Sequence, residues 1–104
     1  MAYTSAQVLE HTRISYRQLD HWARQSWLKP ELEGPRERKW SPTEFRVAVV
    51  MSRLVKVGMH APDAARIARR AVEAVQAHRS QGQSAKFVTV KLGDGVAIRM
   101  DVTA

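Results

Sequence analysis

Two groups of side chains carry the chemistry this sequence can offer. Ser15-Tyr16-Arg17-Gln18, with His21 and Arg24 just after, forms the first. Arg36, Arg38 and Lys39 form the second, with Glu37 between them. Hydroxyl, amide, imidazole and guanidinium donors on a short helix suit the edges of bases, and cations at a loop tip suit phosphate. The residues that covalent or metal chemistry would need are missing. There is no cysteine, which excludes a disulfide framework, a zinc finger and a Cys nucleophile. His11, His21, His60 and His78 form no i,i+4 pair and have no flanking carboxylate cluster, so no metal site is expected. No Ser/His/Asp grouping, glycine-rich phosphate loop or convergent carboxylate pair is present, so neither catalysis nor a cofactor is expected. Gly93-Asp94-Gly95 lies between alternating segments and reads as a hairpin turn.

Charge points the same way. The chain of 104 residues has a formal net charge of +7 and a pI near 10.6. Such a balance in a small domain favours a polyanion as partner. The excess is spread along the chain, +4 over residues 1–60 and +3 over residues 61–104, so placement has to decide. The length bounds a single domain with a modest core and at most a small appendage. The longest apolar run, Val47–Met51, is far too short to span a membrane. With no signal-like N-terminus, a cytoplasmic, nucleoid-associated protein is expected.

The elements that must position those side chains can be read from caps and periodicity. Thr4-Ser5-Ala6-Gln7, Ser15-Tyr16-Arg17-Gln18 and Ser41-Pro42-Thr43-Glu44 each read as a capping box, a hydroxyl followed three residues later by Gln or Glu. The first helix is expected from about Ser5 to His11, with Ala6, Val8 and Leu9 apolar. Thr12-Arg13-Ile14 makes a turn, and a second helix runs from Tyr16 to about Gln25 with Leu19, Trp22 and Ala23 as its buried stripe. This is a helix-turn-helix. Trp27–Pro30 and Arg38–Trp40 read as strands flanking a loop from Glu31 to Glu37, together a wing. Without the helix-turn-helix beside it, a solvated charged loop would be the simpler reading of that segment. A third helix, Pro42 to about Val57, is apolar over more than half its circumference and should be the core helix. Gly58 ends it. A fourth runs from about His60-Ala61-Pro62-Asp63 to His78, with Ala65, Ile67, Ala68, Ala71, Val72 and Val75 as a small-residue face toward the third helix, a second copy, or both. Arg66, Arg69, Arg70 and Glu73 occupy its other faces. Residues 80–85 read as a linker, and 86–104 as a β-hairpin whose apolar face and free edges make it a candidate dimerisation element.

These phrases, in order and spacing, resemble the MerR family of winged-helix DNA-binding proteins. The resemblance spans about residues 3–70: Tyr3–Val8, Ile14–Leu19 with Trp22, Leu28-Lys29-Pro30, Arg38–Ser41, Leu54, and Val57-Gly58-Met59. It implies that Ser15, Tyr16 and Arg17 open a recognition helix, that Arg38 is the wing arginine and Trp40 the wing aromatic, and that His21 stands at a phosphate-contacting position. Three positions depart from the family. Arg13 and Ser26 replace glycines at helix ends, and each is expected to adopt a left-handed or an adjusted turn at some cost. Asp20 replaces a common arginine and is expected to pair with Arg17 or Arg24. No ligand-binding domain follows, so no small-molecule effector is expected.

The fold class expected is therefore mainly α with small β elements, a winged helix-turn-helix of four helices over residues 1–79 plus a C-terminal hairpin. The function expected is sequence-specific binding of double-stranded DNA by a homodimeric transcriptional regulator. Ser15, Tyr16, Arg17, Gln18, His21 and Arg24 would face the major groove, and Arg36, Arg38 and Lys39 the backbone or minor groove. The alternatives are a phage-type excisionase or other DNA-bending factor, and a winged-helix adaptor whose protein-facing acids would be Asp20, Glu31, Glu33 and Glu37.

Overall fold

The computed structural model describes residues 2–33, 37–80, 87–93 and 96–101. The chain runs β1 (Tyr3–Thr4), α1 (Ser5–Thr12), α2 (Tyr16–Arg24), β2 (Glu31–Glu33), β3 (Glu37–Trp40), α3 (Pro42–Lys56), α4 (Ala61–Ser80), β4 (Phe87–Gly93) and β5 (Val96–Asp101). It is a mainly helical winged helix-turn-helix with a small antiparallel sheet, as the sequence suggested.

The helix starts follow from their caps. At α1 both halves of the box are formed: Thr4 Oγ1 accepts from the Gln7 amide at 3.2 Å, and Gln7 Oε1 accepts from the Thr4 amide at 2.9 Å. Ser15 Oγ accepts from the Gln18 amide at 3.0 Å to open α2. Ser41 Oγ accepts from the Glu44 amide at 3.1 Å, with Pro42 in the first turn. Only the first box is closed; α2 and α3 show the hydroxyl half alone. Glu44 turns its carboxylate away from its own cap, because an arginine and a distant backbone amide offer stronger partners there.

Both helix ends without glycine take the left-handed conformation. Arg13 has φ 57° and Ser26 φ 61°, and the Arg13 amide closes α1 on the Leu9 carbonyl at 2.8 Å. Gly58, at φ 102°, follows α3 and is suited to a backbone that side chains disfavour.

The strands differ from expectation. Trp27–Pro30 is not a strand. The amides of Trp27 and Leu28 fold back onto the Trp22 carbonyl, Leu28 is fully buried, and the Lys29 amide donates to Glu44. With those groups engaged, the ladder begins later, at Glu31, and pairs Glu31 with Lys39, Leu32 with Arg38 and Glu33 with Glu37. Tyr3–Thr4, unanticipated as a strand, pairs with the other edge of β3, giving the order β1-β3-β2. Two residues are too few to carry a period.

One apolar cluster joins the helices. Val8, Leu19, Trp22, Leu28, Trp40, Val47, Ala48, Met51 and Leu54 meet the α4 row Ala64, Ala65, Ile67, Ala68, Ala71, Val72 and Val75. The small-residue face of α4 is thus buried within the chain, where α4 packs on α3. Ala6, counted as an apolar helix position from sequence, and Val57, expected at the end of α3, are exposed. Val57 sits past the last turn of α3 as its cap. Toward the C-terminus β4 and β5 pair antiparallel from Phe87–Asp101 to Gly93–Val96. The turn residues 94–95 and most of the linker lie outside the described residues.

Candidate nucleic-acid interface

α2 has one buried edge and one open edge. Leu19 and Trp22 are buried to 1% and 2% exposure and fix the helix on the core. That leaves Tyr16, Arg17, His21 and Arg24 exposed, Ser15 exposed at the cap, and Gln18 half-buried. Arg17, His21 and Arg24 follow at i, i+4 and i+7, so they form one row along the open side. Tyr16, 61% exposed, stands at the N-terminal end, where a groove-bound helix approaches bases most closely. The Ser15 hydroxyl already accepts from the Gln18 amide, so it serves the helix cap first. The exposed His21 ring meets Trp27 edge-on at 5.6 Å between centroids.

The wing lies beside this row. Lys39 is exposed on β3, Leu32 is 73% exposed on β2, and Arg36 lies outside the described residues. Arg38 is held inward: its Nη1 lies 2.9 Å from Asp20 Oδ1, and its side chain is 19% exposed. Asp20 Oδ2 takes Arg24 Nε, also at 2.9 Å. The expected Arg24 partner is therefore found, while the second partner comes from the wing instead of from Arg17. The Arg38 hydrogen bond, aided by both positive charges, holds the Asp20 carboxyl below the usual carboxylate range. The sequence could suggest the i,i+4 pair; the link to Arg38, eighteen positions away, needed the fold.

Glu44 is the functional support that sequence reading placed elsewhere. Its Oε1 accepts from the Lys29 amide at 2.7 Å and from Arg69 Nη2 at 2.8 Å, and its Oε2 accepts from Arg69 Nη1 at 2.7 Å. Arg69 also donates to the Trp27 carbonyl at 3.3 Å. Burial pushes the Glu44 carboxyl up, but the Arg69 and Lys29 donors outweigh it and hold the carboxyl low. The Glu44 hydrogen bond raises Arg69 further. Two helices and the segment leading into the wing thus meet at one carboxylate. Arg69, assigned from sequence to a polar face of α4, belongs to this buried junction.

At the other end of the motif, Lys56 Nζ donates to the Thr12 carbonyl, satisfying a free acceptor at the end of α1. Trp40, fully buried, donates through Nε1 to Ser5 Oγ at 3.0 Å, which ties the wing to the start of α1. No cluster of His, Cys, Asp or Glu that could hold a metal occurs among the described residues. No helix among them is long and apolar enough to cross a membrane.

A capped helix with an open polar row, a preceding helix joined by a tight turn, and a paired wing fixed beside it make up a winged helix-turn-helix. No curated protein matches the chain. The family model described as MerR HTH family regulatory protein matches residues 3–71, two thirds of the sequence and all of the elements from β1 to the first half of α4. The chain belongs to the MerR helix-turn-helix family of regulatory proteins.

Proposed function

We propose that this protein is a sequence-specific double-stranded DNA-binding transcriptional regulator acting as a homodimer. α2 enters the major groove with Tyr16 and Arg17 foremost. His21 and Arg24 extend the same row toward the backbone, and Gln18 and the Ser15 cap border it. Lys39, with Arg36, supplies the cationic edge of the wing, and Arg38 reaches phosphate only in competition with Asp20. The observation that carries the reading is the exposed Tyr16–Arg17–His21–Arg24 row on a helix whose opposite edge is locked by Leu19 and Trp22. A row of this kind at a helix N-terminus has donors for base edges and cations for phosphates.

Selection of bound sequences from random duplexes tests it. The expected product is a motif of two related half-sites about one helical turn or a multiple apart. Absence of any binding to random duplex at about 50 mM salt would overturn the reading, since phosphate attraction is strong there. Arg17→Ala is expected to reduce discrimination between the selected site and a base-substituted one by about 1–3 kcal/mol. Equal loss on both duplexes would reduce Arg17 to a phosphate contact. Asp20, one of the four acids that would serve a protein-facing adaptor surface, is engaged by two arginines.

A further inference from the structure

Asp20 is the sole acid in α2, and it lies within the surface proposed to meet a polyanion. Its two oxygens each hold a different arginine at 2.9 Å, one from its own helix and one from β3. An i,i+4 pair alone would be an ordinary helix-surface contact. The bridge to Arg38 joins two separate elements. It does so beside a recess of about 290 Å³ whose lining includes Ala23, Ser26, Leu28, Leu32 and Arg38, so close packing does not fill the space between the end of α2 and the wing there. Arg38 is 19% exposed and its direction is set, whereas Arg24 is 74% exposed and engages Asp20 through Nε. A guanidinium has five donors in a rigid fork, so Arg24 keeps its outer nitrogens for another acceptor. The three side chains together carry a charge of +1 in place of +2.

We propose that Asp20 is a specificity-determining positioning residue: by holding Arg24 and Arg38 on one carboxylate, it fixes the wing against the recognition helix and withholds one positive charge from non-cognate DNA. The proposal rests on the DNA-binding reading above. Binding to arbitrary sequence is governed by neutralised phosphates, so a compensated arginine weakens it. Binding to a cognate site also needs helix and wing in fixed register, which the bridge supplies.

The test compares the full chain with Asp20→Asn on random duplex and on the selected duplex, by fluorescence anisotropy from about 50 to 200 mM salt. Asp20→Asn is expected to bind random duplex more tightly. Its slope of log K against log salt should be steeper by about 0.9 per bound chain. The ratio of selected to random affinity should fall about tenfold, comparable to loss of one base contact. Asp20→Glu, which keeps the charge, should restore most of the ratio. An unchanged slope and ratio, or weaker binding to random duplex, would overturn the proposal while leaving the DNA-binding reading intact. A wild-type chain that binds neither duplex overturns that reading, and this proposal with it. If Asp20→Asn does not fold, Arg38→Gln decides. A ratio that falls with a slope change well under 0.9 supports the bridge; a full loss of about 0.9 at unchanged ratio marks Arg38 as an ordinary phosphate contact and overturns it.

Discussion

Glu44 accepts three hydrogen bonds on two oxygens, and its side chain is only 9% exposed against 25% for Arg69. Removing one member of so enclosed a pair leaves the other charge poorly solvated, at a cost of about 3 kcal/mol. Glu44→Ala is expected to lower the urea midpoint accordingly. The pH dependence has a definite sign. The Glu44 carboxyl titrates lower in the folded chain than in the unfolded one, so the unfolded state binds the proton first. Its stabilisation is complete at neutral pH and is lost as pH falls through and below about 4.5. Glu44→Gln should flatten that part of the stability profile, measured as urea midpoints between neutral and acid pH. Ser26 offers the opposite opportunity. At φ 61° a side chain is disfavoured, and Ser26→Gly should stabilise the domain by about 0.5 kcal/mol or more, read as a raised Tm. The strain at Ser26 and Arg13 was legible in the sequence, because the neighbouring phrases mark those positions as glycine positions in the resembling family. The role of Glu44 was not. A Ser-x-x-Glu phrase ahead of a helix is a capping signal by local rules, and only the approach of Arg69 and Lys29 redirects the carboxylate.

Elements were legible to the degree that their signals are local. Hydroxyl caps placed the starts of α1, α2 and α3, and the stripe of Leu19 and Trp22 gave the inner side of α2 correctly. The wing strands were shifted because Trp27–Pro30 combines apolar residues with a terminal proline, a strand-like pattern. Its amides are committed to Trp22 and Glu44, and Leu28 to the core, so pairing starts at Glu31 despite its acidic side chains. The wing is anchored at its base by Trp40, which joins β3 to Ser5 at the start of α1. Tyr3 stacks on Phe45 at 4.2 Å, and His11 meets the same ring edge-on at 5.0 Å, so β1, α1 and α3 share one aromatic contact set. Trp40→Ala should therefore cost about 3–5 kcal/mol in chemical denaturation.

For the molecule as a whole, the small-residue face of α4 matters most for assembly. From sequence it could serve α3, a second copy, or both. Its alanines and valines are buried against this chain's own core, which leaves assembly to other surfaces. We therefore propose that pairing of two copies depends on the segment after α4, where β4 comes within contact distance of that helix. Truncation after Ser80 should sediment as a monomer; a truncated dimer would place the contact elsewhere. If the full-length pair neutralises about six phosphates, its affinity should fall with a log–log salt slope near −5. The monomeric truncation should show about half that slope.

The two anchors on α3 have a consequence for sequence change. Glu44 in its first turn holds the approach to the wing, and Lys56, its last residue, holds the turn between α1 and α2. They stand twelve positions apart along the helix, a rise of about 18 Å. α3 thus works as a ruler between the two surfaces proposed to touch DNA. Between those marks it can accept many apolar exchanges, but an inserted or deleted residue would rotate one anchor by about 100° relative to the other. Length, more than composition, is what this helix has to preserve.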